Sequence, residues 1–321
     1  MNAFQYATAQ SAESARELAG ARGMYIAGGN DLLGLLKDYL VPAPDILVNI
    51  KTLPGMNQIQ RGDKTWAIGA LVTVAEVEDD PDIQETFPGL HEAAAEIASQ
   101  QIRNVATVGG NLAQHSRCWY FRQRDTVCLK KGGDLCYALN SDNRYHSLFT
   151  GNTCISPVVS SLATMFAALD ATAVVLRNGQ ETRMSMNDLY HAAWENPLAH
   201  NSLNAGDLVT RVEIPVARRR STYMQVSDKH TFDWALVSCA AAADVDGGKL
   251  SSPRVALGSI SPVPHQVEAA NAFLDGRTLD DATAAAAADM ILAGAKPLEH
   301  NGYKMPLAHA LIRRALSKLV A

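Results

Sequence analysis

Residues Arg103–Gln114 read RNVATVGGNLAQ. The run gathers small residues, a hydroxyl at Thr107, a Gly-Gly pair and an amide at Asn111. Glycine admits positive φ and lets backbone N–H groups approach a bound group closely. The run therefore suits a cradle for a polyphosphate or a flat heteroaromatic ring; taken alone it is also an ordinary glycine-rich turn. A second run of this kind lies about 80 residues upstream. It is AGGND, Ala27–Asp31, between a strand read at 24–27 and a helix read at 31–39 whose Leu32, Leu33, Leu35 and Leu36 are apolar. A glycine turn that opens a helix presents free N–H groups and partial positive charge to an anion. It is not the G-x-G-x-x-G fingerprint, and by itself a Gly-Gly pair is usually just a turn.

The frame around these runs is a chain of 321 residues, 47% hydrophobic, with a net charge of −5. That is room for roughly two domains of about 150 residues. Nothing in the charge balance points to nucleic acid or a membrane surface. The basic cluster ARRRS, Ala217–Ser221, is short and reads as a solvated linker or a small docking patch. The N-terminus lacks the basic and apolar regions of a secretory signal, and no run of 18 apolar residues occurs. A cytoplasmic location is expected, with export beside a signal-bearing partner as the alternative.

Along the chain, DILVNI (45–50) and KTWAIGA (64–70) read as strands, and Pro88–Arg103 as one helix on Leu90, Ala93, Ala94, Ile97 and Ile102. SPVVSSLATMFAALDA reads as a helix starting near Ser160 or Ser161, followed by strands TAVVLR and DLVTRVEIP, the last closed by Pro215. ARRRS marks a boundary. Beyond it come three β-type runs, TYMQVSD, ALVSCAAAADV and PRVALGSISP, with a hairpin turn at Asp246-Gly247-Gly248. Three helical runs close the chain: QVEAANAFLDG, LDDATAAAAADMILAGA and YKMPLAHALIRRALSKLV. The fold class is α+β, with domains expected over 1–216 and 217–321.

In this order and spacing the two glycine runs resemble the FAD loops of the flavin-binding medium subunit of the xanthine oxidase family of molybdenum hydroxylases. AGGNDLL is similar to the first loop, which usually carries Thr where this chain has Asn30; RNVATVGGNLA is similar to the second. SSLATMFAALDA, VEIP, DWALVSCA and NGYKMPLAHALIRRAL extend the resemblance over nearly the whole chain. It implies a two-subdomain FAD-binding fold of the vanillyl-alcohol-oxidase (PCMH) type, then a small C-terminal domain of antiparallel sheet and helices. It implies that Ala27, Gly28, Gly29, Asn30, Asp31 and Leu32 wrap the pyrophosphate and adenine-side ribose. It also implies that Ala106, Thr107, Gly110, Asn111 and Gln114 contact the diphosphate and the flavin, mostly through backbone N–H groups. Two positions depart from the family pattern: Gln225 replaces a common Lys near the flavin, and Ser161 stands where the usual Asp enters the following helix. Both bear on flavin tuning or substrate access.

Most of the family runs from the second FAD loop straight into a Ser-Pro segment. Here an insertion of about 40 residues, near 115–155, intervenes and carries Cys118, Cys128, Cys136 and Cys154, spaced C-x9-C-x7-C-x17-C. The fifth cysteine, Cys239, lies in the apolar run WALVSCAAAADV and reads as a core residue. An odd cysteine count does not suit a secreted disulfide scaffold, nor do disulfides suit a cytosolic chain. Clustered thiolates accept zinc or an iron–sulfur cluster, and the C-x₂₋₄-C pairs common in structural zinc sites are missing. Arg117, Arg122, Arg124, Lys130 and Lys131, with N–H groups of KKGGD, would offset the negative charge of a cubane. Trp119, Tyr120 and Phe121 either shield such a cluster or pack the loop; His115 and His146 are alternative ligands by type. A minority of medium subunits carry a [4Fe–4S] cluster in an insertion here: the β subunit of 4-hydroxybenzoyl-CoA reductase and the FAD subunit of periplasmic aldehyde oxidoreductases. RCWYFR, LKKGGDLC, ALNSDNRYH and GNTC are most similar to the latter. On that resemblance the four clustered cysteines are the ligands.

The implied function is electron transfer. In the family a large partner holds molybdopterin and hydroxylates an aldehyde or heteroaromatic ring, and a small partner carries two [2Fe–2S] clusters. Electrons pass to FAD in the medium subunit and on to an external acceptor or donor, with the extra cluster suited to a ferredoxin-like protein. The expected complex is an aldehyde oxidoreductase, a heterotrimer or its dimer, with a 4-hydroxybenzoyl-CoA reductase-like enzyme as the alternative. No catalytic dyad or nucleophile is expected in this chain, and His191, His200 and His309 read as surface or packing residues. Two rivals are a self-contained flavin oxidase, for which a C-terminal region of about 100 residues is too small to close a substrate site, and a zinc-stabilised assembly protein that has lost FAD.

Overall fold

The computed structural model describes residues 1–216, 220–229 and 232–321. Strands β1 (Gln5–Thr8), β2 (Met24–Ile26) and β3 (Ile46–Asn49) form a parallel sheet in the order β1–β3–β2. Strands β4 (Ile59–Arg61), β5 (Thr65–Gly69), β6 (Thr172–Arg177), β7 (Gln180–Ser185) and β8 (Leu208–Pro215) form an antiparallel sheet in the order β4–β5–β8–β6–β7. Strands β9 (Arg220–Ser227), β10 (Ala235–Asp246) and β11 (Lys249–Gly258) form a second antiparallel sheet, β11–β10–β9. Asp246 pairs with Lys249 across a two-residue Gly247-Gly248 turn with φ of 54° and 82°. Two positive φ values are what a type I′ hairpin turn requires. Helices Glu268–Leu274, Asp281–Leu292 and Lys304–Val320 follow, as expected.

The helix expected over Pro88–Arg103 is two helices, Pro88–Ala95 and Gln100–Arg103. Between them Ala98 takes a left-handed φ of 45°, and Ser99 Oγ accepts the Ile102 N–H to start the second. Arg103 fixes the bend from its far side. Its guanidinium donates to the carbonyls of Ile97 and Ala98 and pairs with Glu78 at 2.6 Å. Strands β1 and β7 and helices Ala12–Ala19 and Met186–Glu195 were not anticipated in the sequence. Of the basic cluster, Ala217–Arg219 lie outside the described residues, so the expected boundary beside 216 falls there too.

One apolar core joins the first two sheets and runs through helix Ser161–Ala168, buried at every position after Ser161. A second core lies between β9–β11 and the C-terminal helices and holds Cys239. That second core also takes in Leu148 and Phe149 from the cysteine insertion. Their N–H groups both donate to Ile260 O, at 2.8 and 3.0 Å, and Leu148 O accepts from Lys296 N–H at 2.8 Å. Asn301 Nδ2 donates to the carbonyls of His146 and Ser147. The insertion is thus wedged between the unit that carries the glycine loops and the C-terminal helices. Among the described residues no helix is long and apolar enough to cross a membrane.

Candidate cofactor cleft and thiol cavity

The first glycine loop leaves the C-terminal end of β2, the edge at which open α/β sheets bind ligands. The second runs beside the end of β5. Gly109 N–H donates to Ala70 O, Val108 N–H to Val72 O and Val74 N–H to Ala106 O, all at 2.8–2.9 Å. The two loops then meet. A Cβ built on Gly28 would lie 2.0 Å from Val105 O, so only glycine allows the contact. Gly29 takes φ 75°, and Asn30 Nδ2 donates to Ile102 O. Thr107 Oγ1 accepts the Gly110 N–H and caps helix Val108–Leu112. Behind that helix Ser160 Oγ donates to Asn111 Oδ1 and the Tyr190 phenol to Leu112 O, each at 2.6 Å. The bonds hold the loop from its rear and leave its small-residue face open.

That face lines a cleft of about 580 Å³, within the size range of cofactor sites. Every residue expected at FAD lines it: Ala27, Gly28, Gly29, Asn30, Asp31 and Leu32 from one loop, and Ala106, Thr107, Gly110, Asn111 and Gln114 from the other. Ser161 and Gln225 line it as well, so both departures from the family pattern face the cleft. Gln225 is held by Glu96, which accepts its Nε2–H at 3.1 Å. Sequence reasoning missed the far walls, at 203–209 and 232–235. They carry no local signature and reach the cleft only through the packing of β8 and β10. Trp234 marks that side, with the Arg117 guanidinium 4.7 Å from its ring centre.

Asp31 sits in the loop as expected, but its carboxylate is already engaged. It accepts from Arg122 Nη2 at 2.7 Å, Arg117 Nη1 at 2.8 Å and the His115 N–H at 2.8 Å. Burial pushes its pKa up, yet the two guanidiniums and the N–H outweigh burial and hold it below the usual carboxylate range. Arg117 and Arg122, expected beside the cysteines, are therefore turned to the first glycine loop. Arg124 lies over the Tyr39 ring at 4.5 Å, and Lys131 donates to Gln123 O.

Cys118, Cys128, Cys136 and Cys154 line one small cavity with Phe121, Lys130 and His146, and all four are free thiols. Among the described residues no three Cys, His, Asp or Glu side chains converge closely enough to hold a single metal ion. The donor set is otherwise rich in N–H groups. Those of Phe121 and Tyr120 reach the Cys118 sulfur, those of Ile155, Ala138 and Leu139 the Cys136 sulfur, and that of Ser156 the Cys154 sulfur. Such bonds favour thiolate. Burial nonetheless lifts the Cys118 thiol to about 11, while the hydrogen bond from Cys154 brings Cys136 down to about 6 and raises Cys154 in turn.

Of the five cations expected near the thiols, Lys130 faces them. Burial lowers its pKa against the opposite pull of all four sulfurs, and its ammonium donates to Ala199 O at 2.7 Å. His146 Nε2 lies 3.1 Å from Cys118 Sγ, a hydrogen-bond partner of the thiol. Phe121 is 2% exposed and packs with Leu35, Leu40 and Cys128, so it fills the space behind the cavity. His115 is at the other site: it lines the cleft and stacks on His200, ring centres 4.0 Å apart. Burial pushes His115 down to about 4 and His200 well below its ordinary value, so the stack is uncharged at neutral pH.

Comparison with known proteins agrees with this geometry. Residues 2–217 match the family described as FAD binding domain in molybdopterin dehydrogenase, and residues 221–319 match the CO dehydrogenase flavoprotein C-terminal domain. The chain is 33% identical to the aldehyde oxidoreductase FAD-binding subunit PaoB of Escherichia coli (strain K12), over 100% of this chain and 98% of that one. It is 28% identical to the 6-hydroxypseudooxynicotine dehydrogenase complex subunit alpha of Paenarthrobacter nicotinovorans, over 98% and 94% of the two chains. Its structure is similar to a chain of quinoline 2-oxidoreductase from Pseudomonas putida 86, with a TM-score of 0.77, 25% identity and coverage of 99% and 97%.

Proposed function

Because this chain belongs to the FAD-binding medium subunits of the molybdenum hydroxylases, we propose that it is the electron-transfer flavoprotein subunit of an aldehyde oxidoreductase. It works beside a large molybdopterin subunit and a small [2Fe–2S] subunit, in the cytoplasm or exported with a signal-bearing partner. One observation carries the reading: two interlocked glycine loops line a cofactor-sized cleft, and a four-thiol cavity lies in the segment that follows directly. FAD takes up electrons as a pair or singly and so joins one-electron partners to two-electron chemistry.

In this chain the small-residue faces of both loops bind the diphosphate by backbone N–H groups, and residues 203–209 and 232–235 enclose the remainder of the cofactor. Gln225 and Ser161 meet it with uncharged side chains. Cys118, Cys128, Cys136 and Cys154 hold a [4Fe–4S] cluster, a further one-electron station open to a ferredoxin-like partner. The N–H groups directed at the sulfurs and the Lys130 ammonium offset its charge. The chain divides into a cofactor-binding unit, 1–216, and a C-terminal unit, 217–321.

An anaerobic count of flavin, iron and sulfide on the purified complex tests this. One FAD, with about four irons and four sulfides assigned to this subunit, is expected. Flavin without that iron keeps the flavoprotein and removes the cluster. Aldehyde turnover by the isolated chain would instead favour a self-contained flavin enzyme.

A further inference from the structure

Asp31 belongs to the first glycine loop, yet among the described residues each partner of its carboxylate comes from the cysteine insertion: Arg117, Arg122 and the His115 N–H. The same groups run on to the first cysteine. Arg122 Nε donates to Ser116 O at 2.8 Å, its Nη2 to His115 O at 3.3 Å, and its own N–H to Cys118 O at 3.0 Å. Ser116 Oγ accepts the Cys118 N–H at 3.0 Å. Arg117 also donates to Gln114 Oε1 of the second glycine loop at 3.2 Å and lies over Trp234 on the far wall. The three ionic side chains are only 17–23% exposed, so solvent and salt screen them weakly. A carboxylate at the mouth of a diphosphate-binding loop repels the ligand unless it is neutralised, and here the neutralising cations stand directly before the first cysteine and four residues after it.

We propose that Asp31 is a positioning residue that couples the two centres: through Arg117 and Arg122, order in the cysteine insertion sets the affinity of the cleft for FAD. The inference rests on the FAD reading of the cleft. Linkage makes the coupling reciprocal, so bound FAD orders the insertion by the same free energy.

The test is a cycle on the assembled, deflavinated complex. The FAD Kd is measured with and without Cys128→Ser, in the wild-type and the Asp31→Asn backgrounds. Cys128→Ser is expected to weaken FAD about tenfold in the wild-type background, and less than about twofold beside Asp31→Asn. In a complex whose subunit holds the iron, an equal effect in both backgrounds, or none in the wild type, overturns the coupling. A second readout needs no iron: FAD should slow amide exchange over 116–122 in the wild type and not in Asp31→Asn, with Arg122→Gln behaving as Asp31→Asn does. Equal protection in all three chains overturns the proposal. A complex that binds FAD and no iron in this subunit fails the cluster assignment alone, and the exchange measurement still decides the coupling.

Discussion

Gly28 and Val105 touch through their main chains: a Cβ at position 28 would stand 2.0 Å from the Val105 oxygen and 2.9 Å from its carbonyl carbon. Neither atom can yield, because both are backbone. Gly28→Ala therefore pushes the two cofactor loops apart. Flavin content after purification is expected to fall at least about tenfold, with a stability loss of about 2–3 kcal/mol from overpacking. Gly110→Ala is the milder comparison, since its Cβ would meet the Thr107 hydroxyl at 3.0 Å, an atom that can shift slightly. Visible flavin absorbance and thermal unfolding read both variants; a fully flavinated, stable Gly28→Ala chain would contradict the loop contact.

Cys128 is 5% exposed and lines the thiol cavity. Cys128→Ser is expected to remove the iron and sulfide of this subunit while the chain stays folded and takes up flavin at saturating FAD. Four irons retained in that variant would take Cys128 out of the ligand set.

Lys130 brings one buried positive charge to the thiols. Lys130→Met keeps the length of the stem and removes that charge. The cluster should still assemble, with a reduction potential lowered by tens of millivolts, on the order expected from one partly screened charge. Potentiometric titration followed by electron paramagnetic resonance measures it. An unchanged potential would mean that the ammonium acts only through its bond to Ala199 O.

Lys304 is fully buried at the start of the last helix, donates to Ser259 O at 2.9 Å, and is pushed by burial down to about 7. Unfolded, it stays protonated up to about 10.4. Between these values the unfolded chain binds more protons, so stability from this group rises with pH from about 7 to 10 and is flat below. The difference in unfolding free energy between wild type and Lys304→Met should shift in favour of the wild type across that window. A difference that does not vary with pH would show that Lys304 keeps its ordinary pKa and stays charged in the fold.

The glycine loops are legible in the sequence because the property that matters, the missing side chain, is written in the residue itself. The β10–β11 turn is legible for the same reason. The bend at Ala98 is not: the apolar spacing continues across it, and Arg103 and Glu78 make it through contacts that no local pattern records. The arginines beside Cys118 mislead in a related way. Nearness in the chain assigns Arg122 to the thiols, whereas its carboxylate partner is 91 positions away. His200 likewise reads as a scattered histidine and folds into a stack with His115, 4.0 Å between ring centres.

The bonds that tie the end of the insertion to the C-terminal unit set an order of assembly. Leu148 and Phe149 rest on Ile260, Val158 N–H donates to Ser261 O, and His146 is held through Asn301. Synthesis runs from the N-terminus, so all four clustered cysteines have emerged long before these supports exist. A chain made only to just past Cys154 has the partner of the loop's beginning, Asp31, but not those of its end. The cavity is lined by residues between 118 and 156, but the backbone groups of 146–158 that back it meet their partners only once residues 260–301 have been made, so its final support comes late in synthesis.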